Sequence, residues 1–296
     1  MKRSLSRALL GASLALAASH APAATVLGDS FNDANVKAAP STLFGSGNAG
    51  LIFNGGSAAI DLAGGPIAQS NNAINRGPDV SGNTYLKGSD INFLAGLILG
   101  DTQIAQVWRN DVVYNGDTTT INSVRQMIVP PLPFMPDFGG LVIGKVDGSP
   151  VYFGEWAPKG PNYSAPDNAD LNMGSAERTV WYVGENPTTS MPTLVNAQYN
   201  VVGINQHNPE NPSVYQGVLA ANYGSGGGYL DGSITRGSDV VDFGTSDTAI
   251  THTGAFSNAA LTISGQFYGA QAEALAGIYT GGATAQDHVA FGGARQ

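Results

Sequence analysis

From about residue 193 to the end of the chain, turn residues interrupt every run of apolar residues before it grows long. Short alternating segments cover 197–205, 214–223, 228–236, 239–244, 249–256, 260–267, 276–279 and 288–293, with Gly, Asn or Asp between most of them. Segments this short, repeated at intervals of roughly 8–12 residues, predict a sandwich or a barrel. Eight strands with tight turns fit an eight-stranded antiparallel β-barrel, whose interior is just wide enough for its own side chains or one small ligand. Tyr199, Val201, Tyr215, Leu230, Phe243 and Phe267 are bulky enough to fill it.

The rest of the chain is also predicted to be all-β. Residues 51–53 and 58–62 flank Asn54-Gly55-Gly56, a strand–turn–strand pattern. Residues 104–114 read as a strand that turns at Asn115-Gly116, and 122–129 as another alternating run. Residues 141–146 and 151–156 form a hairpin around Asp147-Gly148, and 179–183 follow as a strand. Residues 89–99 are the one candidate for a short helix, with Ser89 as N-cap. The chain has 40 Gly, and only 12% of its residues are charged. Both values suit many turns and few amphipathic helices. Residues 184–193 are rich in turn formers and lack apolar periodicity, which places a domain boundary there. The expected organisation is a leader over 1–23, a β-rich binding domain over 24–192 and the barrel over 193–296.

The leader rests on three features in order. Lys2, Arg3 and Arg7 form a basic head, residues 8–18 are apolar, and Ala21-Pro22-Ala23 is a small-residue cleavage site. The apolar run falls short of the roughly 20 residues a spanning helix needs, so no transmembrane segment is expected. With no Cys, disulfides, iron–sulfur clusters, thiolate zinc and a lipobox cysteine are excluded. The 13 basic residues fall to 10 once the leader goes, against 22 acidic ones, a net charge of −12. Such a surface repels nucleic acid. The expected location is outside the cell or on the surface of a Gram-negative bacterium.

Residues 265–279 read Gly265-Gln-Phe267-Tyr268-Gly269-Ala-Gln-Ala272-Glu273-Ala-Leu-Ala-Gly277-Ile-Tyr. This pattern resembles the signature near the end of barrels of the transferrin-binding protein B type, and residues 289–295 resemble their last strand. Read by themselves, Gly265 and Gly269 permit tight turns, Phe267 plugs the barrel, and Gly277 lets a strand resume beside a close neighbour. Residues 151–156, 180–186, 191–192 and 197–205 are similar to the secreted haem-binding proteins called hemophilins and to their lipoprotein relatives.

That resemblance implies a binding protein rather than an enzyme, exported through a Slam-type outer-membrane translocon and serving haem or iron acquisition. Its implied partners are a TonB-dependent receptor or a host protein, and its implied cofactor is haem. Haem capture in that group relies on a histidine of the N-terminal domain. Here residues 25–206 contain none; the four histidines are His20, His207, His252 and His288. The resemblance therefore implies Tyr or Met as axial ligand. The competing expectation is a surface protein that binds a host or receptor protein with no cofactor.

The segment 127–140 is the most unusual. Four prolines in seven residues, 130–136, forbid a helix or a central strand. A stiff loop carrying Met127, Leu132, Phe134, Met135 and Phe138 can grip a flat apolar ligand or a partner. The same side chains could instead cap the domain core. Tyr152, Trp156, Trp181 and Tyr182 lie on adjacent strands, which favours cross-strand packing over a ligand wall. Residues 45–50 match G-x-G-x-x-G, but a strand follows where a nucleotide fold needs a helix. Residues 168–174 imitate the start of a calcium loop, yet Met173 and Thr179 stand where Gly and Glu are required, so Asx turns are expected. Glu155 is expected to be solvated or salt-bridged. No nucleophile elbow or H-E-x-x-H motif is present.

Overall fold

The computed structural model describes residues 25–79, 82–91, 99–128, 137–260 and 262–296. The expected leader, and Leu132, Phe134 and Met135 of the proline-rich segment, lie outside these residues.

The first part comprises β1 (Val26–Ser30), β2 (Val36–Pro40), β3 (Ala49–Phe53), β4 (Ile60–Asp61), α1 (Ala68–Arg76), β5 (Tyr85–Lys87), α2 (Gly88–Ile91), β6 (Gln103–Tyr114), β7 (Asp117–Gln126), β8 (Gly140–Lys145), β9 (Val151–Ala157) and β10 (Thr179–Glu185). Seven strands form one sheet in the order β1-β10-β9-β8-β7-β6-β5, and β2-β3-β4 form a second. The Asn115-Gly116 turn joins β6 to β7 with φ of 50° and 96°, the left-handed pair that matches strand twist in a two-residue hairpin.

One face of the large sheet packs under the small sheet and α1. Val107, Val124, Leu141, Ile143, Trp156 and Trp181 meet Val36, Leu51, Phe53 and Ala73 there. Tyr152 joins this face, whereas Tyr182 lies on the other, so the aromatic residues divide between two cores. The α1 helix was not foreseen. Its sequence, AQSNNAINR, offers only Ser70 and Ala73 as buried positions, too faint a stripe to read as amphipathic. The expected helix over 89–99 is seen at its start, in α2, and residues 92–98 lie outside those described.

The second part comprises β11 (Leu194–Ile204), β12 (Tyr215–Gly224), β13 (Gly227–Arg236), β14 (Asp239–Asp242), β15 (Thr248–Ile250), β16 (Ala255–Asn258), β17 (Ile263–Tyr268), β18 (Ala274–Tyr279) and β19 (Val289–Arg295). Every strand pairing is antiparallel. The β12–β13 pairing closes eight of the strands into a barrel, with β14 outside it as the return arm of a hairpin on β13. The eight strands differ in membership from the sequence reading. Residues 239–244 leave the cylinder, and 249–256 divide into β15 and β16. The split falls at Gly254, whose φ of 78° allows the reversal.

All six expected fillers lie in the barrel core. Phe267 contacts Tyr199 and Phe256 edge-on, with ring centroids 5.4 Å apart in each case, the geometry that aromatic quadrupoles favour.

The two parts share a third core. Phe153, Val142, Val151, Val180 and Tyr182 on the outer face of the large sheet press on Val202, Ile204, Tyr268, Ala276, Ile278 and Ala290 on the outside of the barrel. The barrel presents small side chains here, and the Phe153 ring covers Gly292. The turn-rich connection between the parts is itself fastened. Thr188 N–H donates to Phe267 O at 2.8 Å, and Gly269 N–H donates to Asn186 O at 2.8 Å.

Candidate functional site

The proline-rich segment leaves the sheet at the end of β7 and returns at the start of β8. Gln126 holds these two ends together. Its Oε1 accepts from Phe138 N–H at 2.7 Å and Gly139 N–H at 2.8 Å, and its Nε2 donates to Ile128 O at 2.8 Å. The backbone adds Gln126 N–H to Gly139 O at 2.8 Å. Farther out, Asn54 Nδ2 donates to Asp137 O at 2.9 Å, and Lys159 Nζ pairs with the Asp137 carboxylate at 2.5 Å. The mouth of the loop is thus fixed whatever its tip touches. Met127 is buried, and Phe138 is half-buried against the core beneath the small sheet.

Beside this mouth lies a small cleft, lined by Arg125, Lys159, Tyr163, Asp170 and Leu171 together with Gly139 and Gly140. Arg125 is 2% exposed. Its Nη1 donates to Tyr163 O at 2.7 Å, and its Nη2 donates to Gln106 Oε1 at 2.5 Å and Ala165 O at 2.6 Å. Burial lowers the Arg125 pKa from its ordinary value. Sequence reasoning passed over both Arg125 and Gln126, because polar residues in an alternating strand read as solvent-facing.

Residues 168–174 form Asx turns. Asn168 Oδ1 accepts from Asp170 N–H at 2.9 Å, and Asp170 Oδ1 from Asn172 N–H at 2.8 Å. Both oxygens serve backbone groups of the turn itself. Residues 45–50 lead into β3, as expected.

In the barrel signature, Phe267 is fully buried inside the cylinder, whereas Tyr268 faces out into the shared core and donates to Leu27 O at 3.0 Å. Gly269 turns with φ of 85° beneath the Glu273 carboxylate, which accepts from Gln271 N–H at 2.9 Å. Ala272 O accepts from the Tyr199 hydroxyl at 2.6 Å. Gly265 sits within β17, not at a turn. A side chain there would strike the Phe256 ring, so close approach is what requires glycine. A side chain at Gly277 would meet Phe291 and the backbone of β17 in the same way.

Glu155 is wholly buried, paired with Arg178 and not solvated. Its carboxylate also accepts from Gln206 N–H at 2.9 Å and His207 N–H at 2.6 Å, so one residue of the large sheet holds the β11–β12 connection.

The histidines do not fit an axial haem ligand in the first part of the chain. His207 and His288 are 3% and 5% exposed and sit where sheet meets barrel. His207 Nε2 lies 3.1 Å from Asn110 Oδ1, and the His288 ring packs against Phe31. His252 is exposed in a turn of the barrel. Among the described residues, no group of three or more His, Asp or Glu could hold a metal ion.

The described residues define an all-β chain in which a closed, side-chain-filled eight-stranded antiparallel barrel packs against a seven-stranded sheet. Residues 189–295, the barrel, match the family model described as HphA C-terminal domain. This agrees with the resemblance to the hemophilin group drawn from residues 151–156, 180–186, 191–192 and 197–205. Among solved structures, the chain is similar to the apo haemoglobin receptor HpuA from Kingella denitrificans, 13% identical, with 65% of this chain and 86% of that chain covered and a TM-score of 0.31. A transferrin-binding protein B variant from Actinobacillus pleuropneumoniae is 12% identical, with 65% and 98% covered and a TM-score of 0.31. Transferrin-binding protein B from serogroup B Neisseria meningitidis is 14% identical, with 64% and 36% covered and a TM-score of 0.29.

Proposed function

We propose that this chain is an exported binding protein of nutrient acquisition, released from or displayed on the surface of a Gram-negative cell and serving haem or iron uptake. The supporting observation is the family match of residues 189–295 on a barrel whose interior is full. A filled cylinder has no room for cargo, which leaves recognition to residues 25–192, chiefly the clamped loop 127–140. The barrel is the part a Slam-type translocon would read, and a TonB-dependent receptor would take the cargo on.

The placement of the histidines favours a second form of this reading, in which the cargo is approached as a host or receptor protein and no cofactor is held. A haem held directly would need Tyr or Met, and the loop region carries Met127 and Met135. Absorbance titration of the mature protein with haem separates the two forms. A new, sharp Soret band saturating at one haem per chain supports direct capture. An unchanged free-haem spectrum removes it and leaves the protein partner.

A further inference from the structure

The β6–β7 hairpin keeps one backbone edge uncovered along much of β6. On that side β5 pairs with residues 103–106 only, and Val107 N–H donates to Thr84 O at 3.0 Å. That bond shows how the strand alternates: odd-numbered residues of β6 turn their N–H and C=O away from β7. The two-residue turn at Asn115-Gly116 requires the same, because it makes Tyr114 and Asp117 a hydrogen-bonded pair. Arg109, Asp111 and Val113 therefore aim their backbone groups at the open edge, where no described residue pairs with them. Edges are commonly blunted by proline, a bulge or like charges. Residues 107–114 hold no proline, their register with β7 runs without a shift, and their two charges have opposite signs. Arg109 and Asp111 share one face, 41% and 44% exposed, with Arg109 Nη2 3.2 Å from the Asp111 carboxylate. Val113, on the same face, is 67% exposed.

We infer that this edge pairs with the same edge of a second copy of the chain, antiparallel, about a two-fold axis through Asn110. The order of charges selects both the partner and the register. With Asn110 facing its own counterpart, Arg109 of each copy lies opposite Asp111 of the other on a shared face. The four side chains then alternate in sign around a square, and each Arg109–Asp111 pair exchanges both of its N–H···O bonds. On the other face Trp108 and Val112, both half-buried, fall opposite each other. Slipping the pairing by two residues either way sets Asp111 against Asp111 or Arg109 against Arg109, so a single register is favoured. The contact is self-complementary and closes at two copies. An edge of this length buries less than the roughly 1,200 Å² of a permanent interface, so the dimer forms and dissociates with concentration. The net charge of −12 on each copy opposes approach, and about 0.15 M salt confines that repulsion to about 8 Å. The inference is independent of what the chain carries.

The test is sedimentation equilibrium of the mature full-length chain between about 1 μM and 1 mM, in about 0.15 M salt. The expected result is a monomer–dimer equilibrium with no larger species. Arg109→Asp sets like charges against each other at both pairs and should weaken dimerisation at least about tenfold. Asp111→Lys makes the same clash with the opposite sign and should do likewise. The double variant Arg109→Asp/Asp111→Arg restores the alternation with its order reversed and should return dimerisation to within about threefold of wild type. All these chains should melt close to wild type, because an exposed ion pair contributes little to folding. A wild type that stays monomeric at the highest concentration, single variants that dimerise as wild type does, or a double variant as weak as the singles would each overturn the pairing.

Discussion

Arg178 Nε donates to Glu155 Oε2 at 2.6 Å, with both side chains entirely buried where the large sheet meets the barrel. Arg178 also donates to Ala285 O at 2.5 Å and His288 O at 3.0 Å. The pair therefore joins three regions distant in sequence: β9, the segment before β10, and the approach to β19. Removing one partner would strand the other charge in a dry interior. Arg178→Met should lower stability by about 3–5 kcal/mol, the usual cost of breaking a buried pair. Denaturant unfolding checks this, and a loss below 1 kcal/mol would show that water reaches the pair.

Gln126 serves the loop rather than the core. Gln126→Ala strips Phe138 and Gly139 of their acceptor and should cost about 1–3 kcal/mol. The distinguishing readout is amide exchange, which should accelerate at Phe138 and Gly139 while amides of β17 and β18 stay protected. Uniform acceleration would mean that the clamp is global.

Phe267 tests whether the barrel is a packed core. Phe267→Ala should destabilise by about 3–5 kcal/mol through the cavity left among Tyr199, Phe256 and their neighbours. A ligand site inside the cylinder would instead tolerate the change.

Burial holds His207 below its ordinary pKa of 6.5; for His288, burial acts first and the neighbouring Arg178 adds to it. The folded state then binds fewer protons than the unfolded chain just below pH 6.5. Stability should be fully present above pH 6.5 and fall as the pH drops through that value toward the lowered folded-state pKa values. Thermal melts between about pH 5.5 and 7.5 should show this slope, and His207→Gln should flatten it. A flat profile in the wild type would contradict the assignment.

The barrel was legible because its evidence is local. Turn residues at short intervals, alternating bulky residues and the Gly265–Gly277 signature sit in one stretch of sequence. The split between β15 and β16 was missed because 249–256 alternates without a break until Gly254. The α1 helix was missed because small polar residues cover its buried face. The site was legible only as a stiff apolar loop. Its clamp and the cleft beside it depend on Gln126, Arg125 and Lys159, which meet through tertiary contact and carry no pattern along the chain. Glu155 was read as exposed or paired, and its partner Arg178 lies 23 residues on, beyond any local signal.

The most direct test of the division of labour is to replace residues 129–136 with a Gly-Ser linker of equal length, leaving Gln126 and the barrel untouched. Binding of haem, and of haem- or iron-carrying host proteins, is then measured against wild type. The wild-type chain should bind one of these saturably at one per chain, and the replacement should weaken that binding at least tenfold without lowering the melting temperature of the barrel. Equal binding by the two proteins, or no binding of any of these by the wild type, would contradict the proposed role.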